Sequence, residues 1–221
     1  MSKVIQVRLI VGGGKYWPDL GSAFIAGYKD GWSHVATFVP AGLDWSTPLE
    51  AADNKLLYPI EGWLYGARSD RLAGVPPGVQ LRPPGYTTFH RCGILTVPVT
   101  DQQWVDFWGA HHAKLGLPYD WRAIFAFAAP FGLTRNWHDP DAWVCSEAEE
   151  DSFEKGKILS AFWLAPNKIS PGMGAARIEV LPGVWFTEIK QGTDPRAEPG
   201  IALEDWRYHC GAAAGWPAAP A

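Results

Sequence analysis

Cys145 follows Trp143-Val144 and leads into Ser146-Glu147-Ala148-Glu149-Glu150-Asp151-Ser152-Phe153. The run reads as a helix from about residue 141 to 155, with Cys145 in its first turn. A thiol at a helix start faces N–H groups without intrahelical partners and the positive end of the dipole. Both favour the thiolate, the form that attacks a carbonyl carbon. Such a nucleophile needs a base to take its proton and later return it to a leaving group. His34, after Trp32-Ser33 and on a strand over about 33–39, is the candidate. Each residue also has a plainer account, Cys145 as a small buried apolar group and His34 as a packed strand histidine. Cys92, in an alternating strand, and Cys210, close to the C-terminal end, lack the helix-start setting and read as inert.

Other chemistry is poorly served. Gly12-Gly13-Gly14-Lys15 looks like a phosphate loop, but Tyr16 stands where Ser or Thr would bind magnesium, and the dinucleotide glycine pattern fails at Trp17. Cys-x-x-Cys, His-Glu-x-x-His and Gly-x-Ser-x-Gly are missing from the chain. His111 and His112 point about 100° apart on a helix, so they do not share a metal. His111 falls on an apolar stripe and reads as a satisfied core histidine. No metal or cofactor is expected. A glycosidase needs a matched pair of carboxylates, and nothing singles one out. Glu147, Glu149, Glu150, Asp151 and Glu154 read as a solvated helix face, Glu147 lying about 200° round from Cys145.

The elements that must position the pair follow from periodicity. Residues 4–11 alternate, with Ile5, Val7, Leu9 and Val11 on one face and Gln6 and Arg8 on the other, the pattern of a half-buried strand. Leu20 to Tyr28 reads as a short helix, and 40–61 as a long irregular loop. Strands are expected at Trp63 to Arg68, Gly78 to Arg82 and Cys92 to Val99. Thr100 and Gln103 have capping-box spacing for a helix whose stripe is Trp104, Trp108, His111 and Leu115. Tyr119 to Phe127 reads as a second, buried helix. Late strands are expected at Ala176 to Leu181 and Val184 to Lys190, after a Gly/Pro stretch around Pro171 to Gly174. The class is α+β, an antiparallel sheet packed against helices.

Composition bounds the function. The chain has 221 residues, 47% of them apolar, enough for one cored domain with additions. A net charge of −4 argues against a nucleic-acid or anionic-membrane partner. The longest apolar run, Ala123 to Leu133, is too short for a bilayer span of about twenty residues. Gln6 and Arg8 break any secretory h-region, so synthesis into a reducing cytoplasm is expected. Three widely spaced cysteines give no disulfide framework. The 13 tryptophans read chiefly as core, with groove rims as the alternative.

Ser33-His34-Val35, Gly116-Leu117-Pro118-Tyr119-Asp120-Trp121, Trp143-Val144-Cys145-Ser146-Glu147 and Ile169-Ser170-Pro171 occur in that order. No one of them is specific, but the ordered set resembles the circularly permuted papain-like amidases. These are the YiiX/YaeF-like permuted branch of the NlpC superfamily, and the chain resembles the versions encoded by phages and prophages. The resemblance runs from residue 4 to about 172. It implies a permuted papain-like (NlpC-type) domain over 1–181, a C-terminal extension over 182–210 packed on it, and a flexible tail over 211–221.

The resemblance also implies roles. Cys145 would form a thioester, His34 would shuttle the proton, helix-start N–H groups would hold the oxyanion, and Tyr119 would line the substrate site. Gly66 stands where many relatives carry a Glu that orients the histidine; Tyr65, Glu61 and Asp44 are the substitutes on offer. The expected activity is a cysteine amidase or peptidase acting on cell-wall peptide bonds. One alternative is a thioesterase or acyltransferase on lipid or lipidated substrates. The other is a weakly active or inactive adaptor of a phage tail, with virion proteins as partners and the virion as its location.

Overall fold

The computed structural model describes residues 3–12, 31–43, 49–51, 55–57, 61–69, 76–82, 87, 89–128, 139, 141–161 and 169–189. In chain order the strands are β1 (Lys3–Gly12), β2 (His34–Phe38), β3 (Leu49–Ala51), β4 (Lys55–Leu57), β5 (Leu64–Arg68), β6 (Gly78–Arg82), β7 (Phe89–Val99) and β8 (Trp185–Ile189). The helices are α1 (Asp101–His112), α2 (Trp121–Ala128), α3 (Cys145–Lys155) and α4 (Pro171–Glu179). A six-stranded sheet runs β6-β5-β2-β1-β7-β8, antiparallel at every pairing, and β3 and β4 form a separate hairpin. The fold class is α+β, as the alternation of strands and helices implies.

Period-two alternation divides the sheet into two faces. Val7, Leu9, Val35, Tyr65, Val79 and Val97 line the face that meets α1 and α3, where Phe107, Trp108 and Phe153 complete the main core. Ile10, Ala36, Phe38, Leu64, Cys92 and Ile94 form a second buried cluster on the other face. Both faces are therefore dry. This corrects the half-buried reading of residues 4–11: β1 is a central strand between β2 and β7, and Arg8 is 1% exposed.

The capping box at α1 is present: Thr100 Oγ1 accepts from Gln103 N at 3.2 Å, and Thr100 N donates to Gln103 Oε1 at 3.0 Å. Four other expectations are corrected. The 40–61 loop contains the β3–β4 hairpin, whose three-residue strands are too short to show a period. Ala176 to Leu181 is not a strand, because α4 runs through most of it. Ser170 Oγ caps that helix by accepting from Met173 N at 3.1 Å, and Pro171 takes its first position, where a missing N–H costs nothing. The helix placed at about 141 starts only at Cys145, because Asp141 lies in a turn, Trp143 bridges to Tyr119 and Val144 is extended. The expected second helix begins at Trp121, and Trp121 itself is 47% exposed rather than buried.

β8 pairs with β7 and closes that edge of the sheet, where Phe186 sits over Gly93 and edge-on to Trp32. The expected helix over 20–28, Asp44, Cys210 and the tail over 211–221 lie outside the described residues. Among the described residues, no helix is long and apolar enough to cross a membrane.

Candidate active site

The loop that delivers Cys145 is held by a backbone ladder built from the edge of β6. Val79 N donates to Leu117 O at 2.8 Å, and Gly116 N donates to Val79 O at 2.9 Å. Trp143 N then donates to Pro118 O at 2.9 Å, and Asp120 N to Trp143 O at 3.1 Å. The 116–120 segment thus lies between β6 and the residues that precede α3. Gly78 permits the close approach, since a Cβ there would sit 2.4 Å from Leu117 O. Asp120 locks the segment from inside. Its Oδ1 accepts from Ala123 N at the start of α2, and its Oδ2 from Asp139 N, both at 2.9 Å.

Val144 is the N-cap of α3 and has no side-chain oxygen with which to cap it. Glu147 reaches back instead, its Oε2 accepting from Val144 N at 3.4 Å. Cys145 is buried and unbridged. Its sulfur is close enough to the main-chain N–H groups of Val35 and Ser146 for both to favour its charged form. Val35 follows His34 directly, so the thiol sits at the start of β2 one residue from the candidate base. Alternation puts His34 on the side of Ala36 and Phe38, whereas Val35 and Thr37 face α3. The sulfur therefore meets the strand at its main chain, at the end where β2 and β5 have stopped pairing.

The electrostatics differ from the helix-start expectation. Burial pushes the Cys145 thiol up, and the Glu149 charge adds to this; the Val35 N–H, Arg68 and the Ser146 N–H pull it down without cancelling it. Burial holds His34 well below the ordinary imidazole range, and the charges of Arg68, Arg8 and Arg82 lower it further. At neutral pH the site therefore holds a thiol and a neutral imidazole, not a thiolate–imidazolium pair.

Arg68 acts on both groups, and its identity as a site residue was not visible in the sequence. The β2–β5 register, Thr37 opposite Tyr65 and Phe38 opposite Leu64, brings Arg68 opposite His34 when continued to the strand ends. The signal available beforehand was only its place at the end of a predicted strand.

Tyr119 is half-buried and near enough to Cys145 and Arg68 to feel both charges, and its phenol is hydrogen-bonded to Ser69. Burial, then the Cys145 charge, pushes the phenol far up, so it stays protonated. Trp121 packs edge-on to it at 5.1 Å.

The substitutes for an orienting acid fare as follows. Tyr65 faces the helices and stacks on His111 at 4.0 Å between ring centroids, on the side away from His34. Glu61 precedes β5 at the end that pairs with Phe38, the far end of β2 from His34. At Gly66 a Cβ would lie 3.2 Å from Ala36 Cβ and 3.3 Å from Val35 O, so a glutamate there would need β2 to give by a few tenths of an ångström.

The acidic helix is not a solvated face. Glu147, Glu149 and Glu150 are 3%, 3% and 2% exposed. Glu149 Oε2 accepts from Thr37 Oγ1 at 2.6 Å and lies 3.3 Å from Nε2 of the buried His111. Lys114 Nζ bonds Asp151 Oδ2 at 2.7 Å, Ser152 Oγ at 2.8 Å and Ala110 O at 3.1 Å, and lies 4.9 Å from the Trp143 ring. Arg177 of α4 pairs with Glu150 and, at 3.6 Å, with Glu154. Glu149, Glu150, Asp151 and Glu154 are each matched by a group on a facing element, which a helical wheel of one segment does not reveal. His111, read as a satisfied core histidine, is buried against Tyr65, Phe107 and Trp108.

Compared with protein-family models, with curated proteins and with solved structures, the chain has no significant match to any. The functional reading therefore rests on the residues just described.

Proposed function

We propose that the chain is a cysteine hydrolase of the circularly permuted papain-like (NlpC-type) class that cleaves peptide amide bonds of the cell wall. The observation that carries the reading is the seat of the Cys145 sulfur, at a helix N-terminus and beside the main-chain N–H of the residue after His34.

The chemistry starts from neutral groups. As the sulfur attacks the carbonyl carbon, the S–H proton passes to His34 and the carbonyl oxygen takes up the negative charge. N–H groups of the α3 start, that of Cys145 among them, receive this oxyanion. His34 gives the proton to the departing amine, leaving a thioester on Cys145. Water then attacks the thioester with His34 as base, releasing a carboxylic acid and restoring the thiol. Arg68 supplies the positive charge that an imidazolium provides in ion-paired cysteine enzymes.

A second reading, hydrolysis or transfer of acyl esters, is favoured by the aromatic pair beside the nucleophile. Trp121 is 47% exposed and edge-on to Tyr119, an apolar surface suited to an acyl chain.

The test is turnover of a cell-wall muropeptide against that of an acyl ester, with Cys145→Ala as control. Amide cleavage that Cys145→Ala abolishes supports the proposal. Ester turnover alone supports the second reading. No turnover of either, with unaltered self-assembly in Cys145→Ala, contradicts both.

A further inference from the structure

The nucleophile helix meets the His34 strand at two points. Near its start the Cys145 sulfur lies by the Val35 N–H, which favours its charged form, and one turn later Glu149 Oε2 takes the hydroxyl of Thr37 at 2.6 Å. Four residues advance a helix by about 6 Å, and two residues advance a strand by about 7 Å. The spacing Cys145 to Glu149 on α3 therefore matches Val35 to Thr37 on β2. Both ties form together in one register of helix on strand, and a slip of either element breaks both.

We propose that Thr37 and Glu149 are positioning residues that set the register of α3 on β2 and so seat the Cys145 sulfur beside His34. The 2.6 Å bond is at the short end for a hydroxyl donor, and both partners are buried, Thr37 at 0% exposure and Glu149 at 3%. A carboxylate in such a place needs partners, and losing one leaves a desolvated oxygen behind. His111 braces Glu149 from α1, its ring clamped between Tyr65 and Phe107. The tie thus reaches from the nucleophile helix to β2, β5 and α1 at once.

The groups that bear on the sulfur are Arg68 of β5, Tyr119 of the 116–120 segment and Glu149 of its own helix. Those around Glu149 are His111 of α1, Lys114 just after it, Tyr65 of β5 and Cys145. Glu149 has two opposed effects on Cys145. Its charge raises the thiol, while its bond to Thr37 keeps the sulfur on the Val35 N–H, which lowers it. Substitutions that remove one effect at a time move the thiol in opposite directions, as a purely structural role would not.

The functional meaning of this device rests on Cys145 as the nucleophile, but its test does not. The experiment is the pH midpoint of iodoacetamide alkylation at Cys145, read on its peptide by mass spectrometry in the full folded chain. Thr37→Val loses the hydroxyl and loosens the Val35 contact, so the midpoint rises by about one pH unit, or about tenfold in rate at a fixed lower pH. Thr37→Ser keeps the hydroxyl and should follow the parent. Glu149→Gln keeps an acceptor oxygen for Thr37 and removes the charge, so its midpoint falls.

A folded Thr37→Val with the parent midpoint overturns the proposal. So does a Thr37→Ser shifted as far as Thr37→Val, or a Glu149→Gln midpoint that does not fall. Acyl transfer measured in parallel on His34→Ala separates the two ideas. Transfer unchanged by His34→Ala strikes the catalytic reading and leaves the register tie standing.

Discussion

The charge of Arg68, at the end of β5, bears on both His34 and Cys145. An acid in this place would hold the imidazole protonated. The guanidinium does the reverse, keeping the imidazole neutral while favouring a charged sulfur. Under the proposed mechanism, the proton would pass from thiol to imidazole during attack, with the Arg68 charge already fixed beside both groups.

Arg68→Gln removes a charge that lowers both groups, so both titrate higher. The expected rise is roughly half a unit to one unit for the thiol, read as its alkylation midpoint. The imidazole, read by NMR, should rise in the same variant. A thiol that moves while the imidazole stays would place Arg68 on Cys145 alone.

Glu147 gives the fold a pH dependence of definite sign. Burial, then the nearby charges of Asp120 and Asp151, push its carboxyl up to about 8, against the pull of the Val144 N–H and Lys114. Between the ordinary carboxyl range and about 8, the folded chain holds a proton that the unfolded chain has lost. This group's contribution to stability therefore falls as pH rises through that window. Glu147→Gln should be the more stable chain at pH about 8, on the order of 1–3 kcal/mol, and should match the parent near pH 4. Denaturant unfolding at the two pH values checks it.

Lys114 is the cation that compensates the buried end of α3. Lys114→Met leaves Asp151 with only the exposed Lys155, 3.2 Å away, and should cost about 3 kcal/mol. Adding Asp151→Leu should recover most of that loss, because an apolar pair replaces the buried ion pair. Equal destabilisation in the single and double variants would contradict the compensation.

Two glycines should respond in opposite directions. Gly78→Ala drives a Cβ to 2.4 Å from Leu117 O and should cost about 1–3 kcal/mol. Gly109, in α1, meets nothing within 4 Å, so Gly109→Ala should stabilise by about 0.4–1 kcal/mol. Thermal unfolding of both variants is the measurement.

Much of the scaffold was legible because its signals are local. The alternation of Ile5, Val7 and Leu9, the Thr100–Gln103 box and the helix that follows Val144 each depend on a few neighbouring residues. The signal at Ser170-Pro171 is local too, but the Gly/Pro content of Pro171 to Gly174 reads as a lead-in to a strand where a capped helix starts. What stayed hidden depends on partners distant in sequence. Arg8 reads as solvent-facing until β7 and β2 flank it, and Glu149 reads as surface until Thr37 and His111 meet it. The role of Arg68 depends on the β2–β5 register, which no single segment encodes.

The central claim is that Cys145 forms a thioester with His34 as its base. The most direct measurement is mass spectrometry of the chain mixed with p-nitrophenyl acetate, timed from seconds to minutes, in the parent, Cys145→Ala and His34→Ala. The account expects one acetyl group on Cys145 that appears and then hydrolyses, none there in Cys145→Ala, and both steps slowed about 100-fold or more in His34→Ala. An acetyl group that forms and leaves at the same rate without His34 would contradict it.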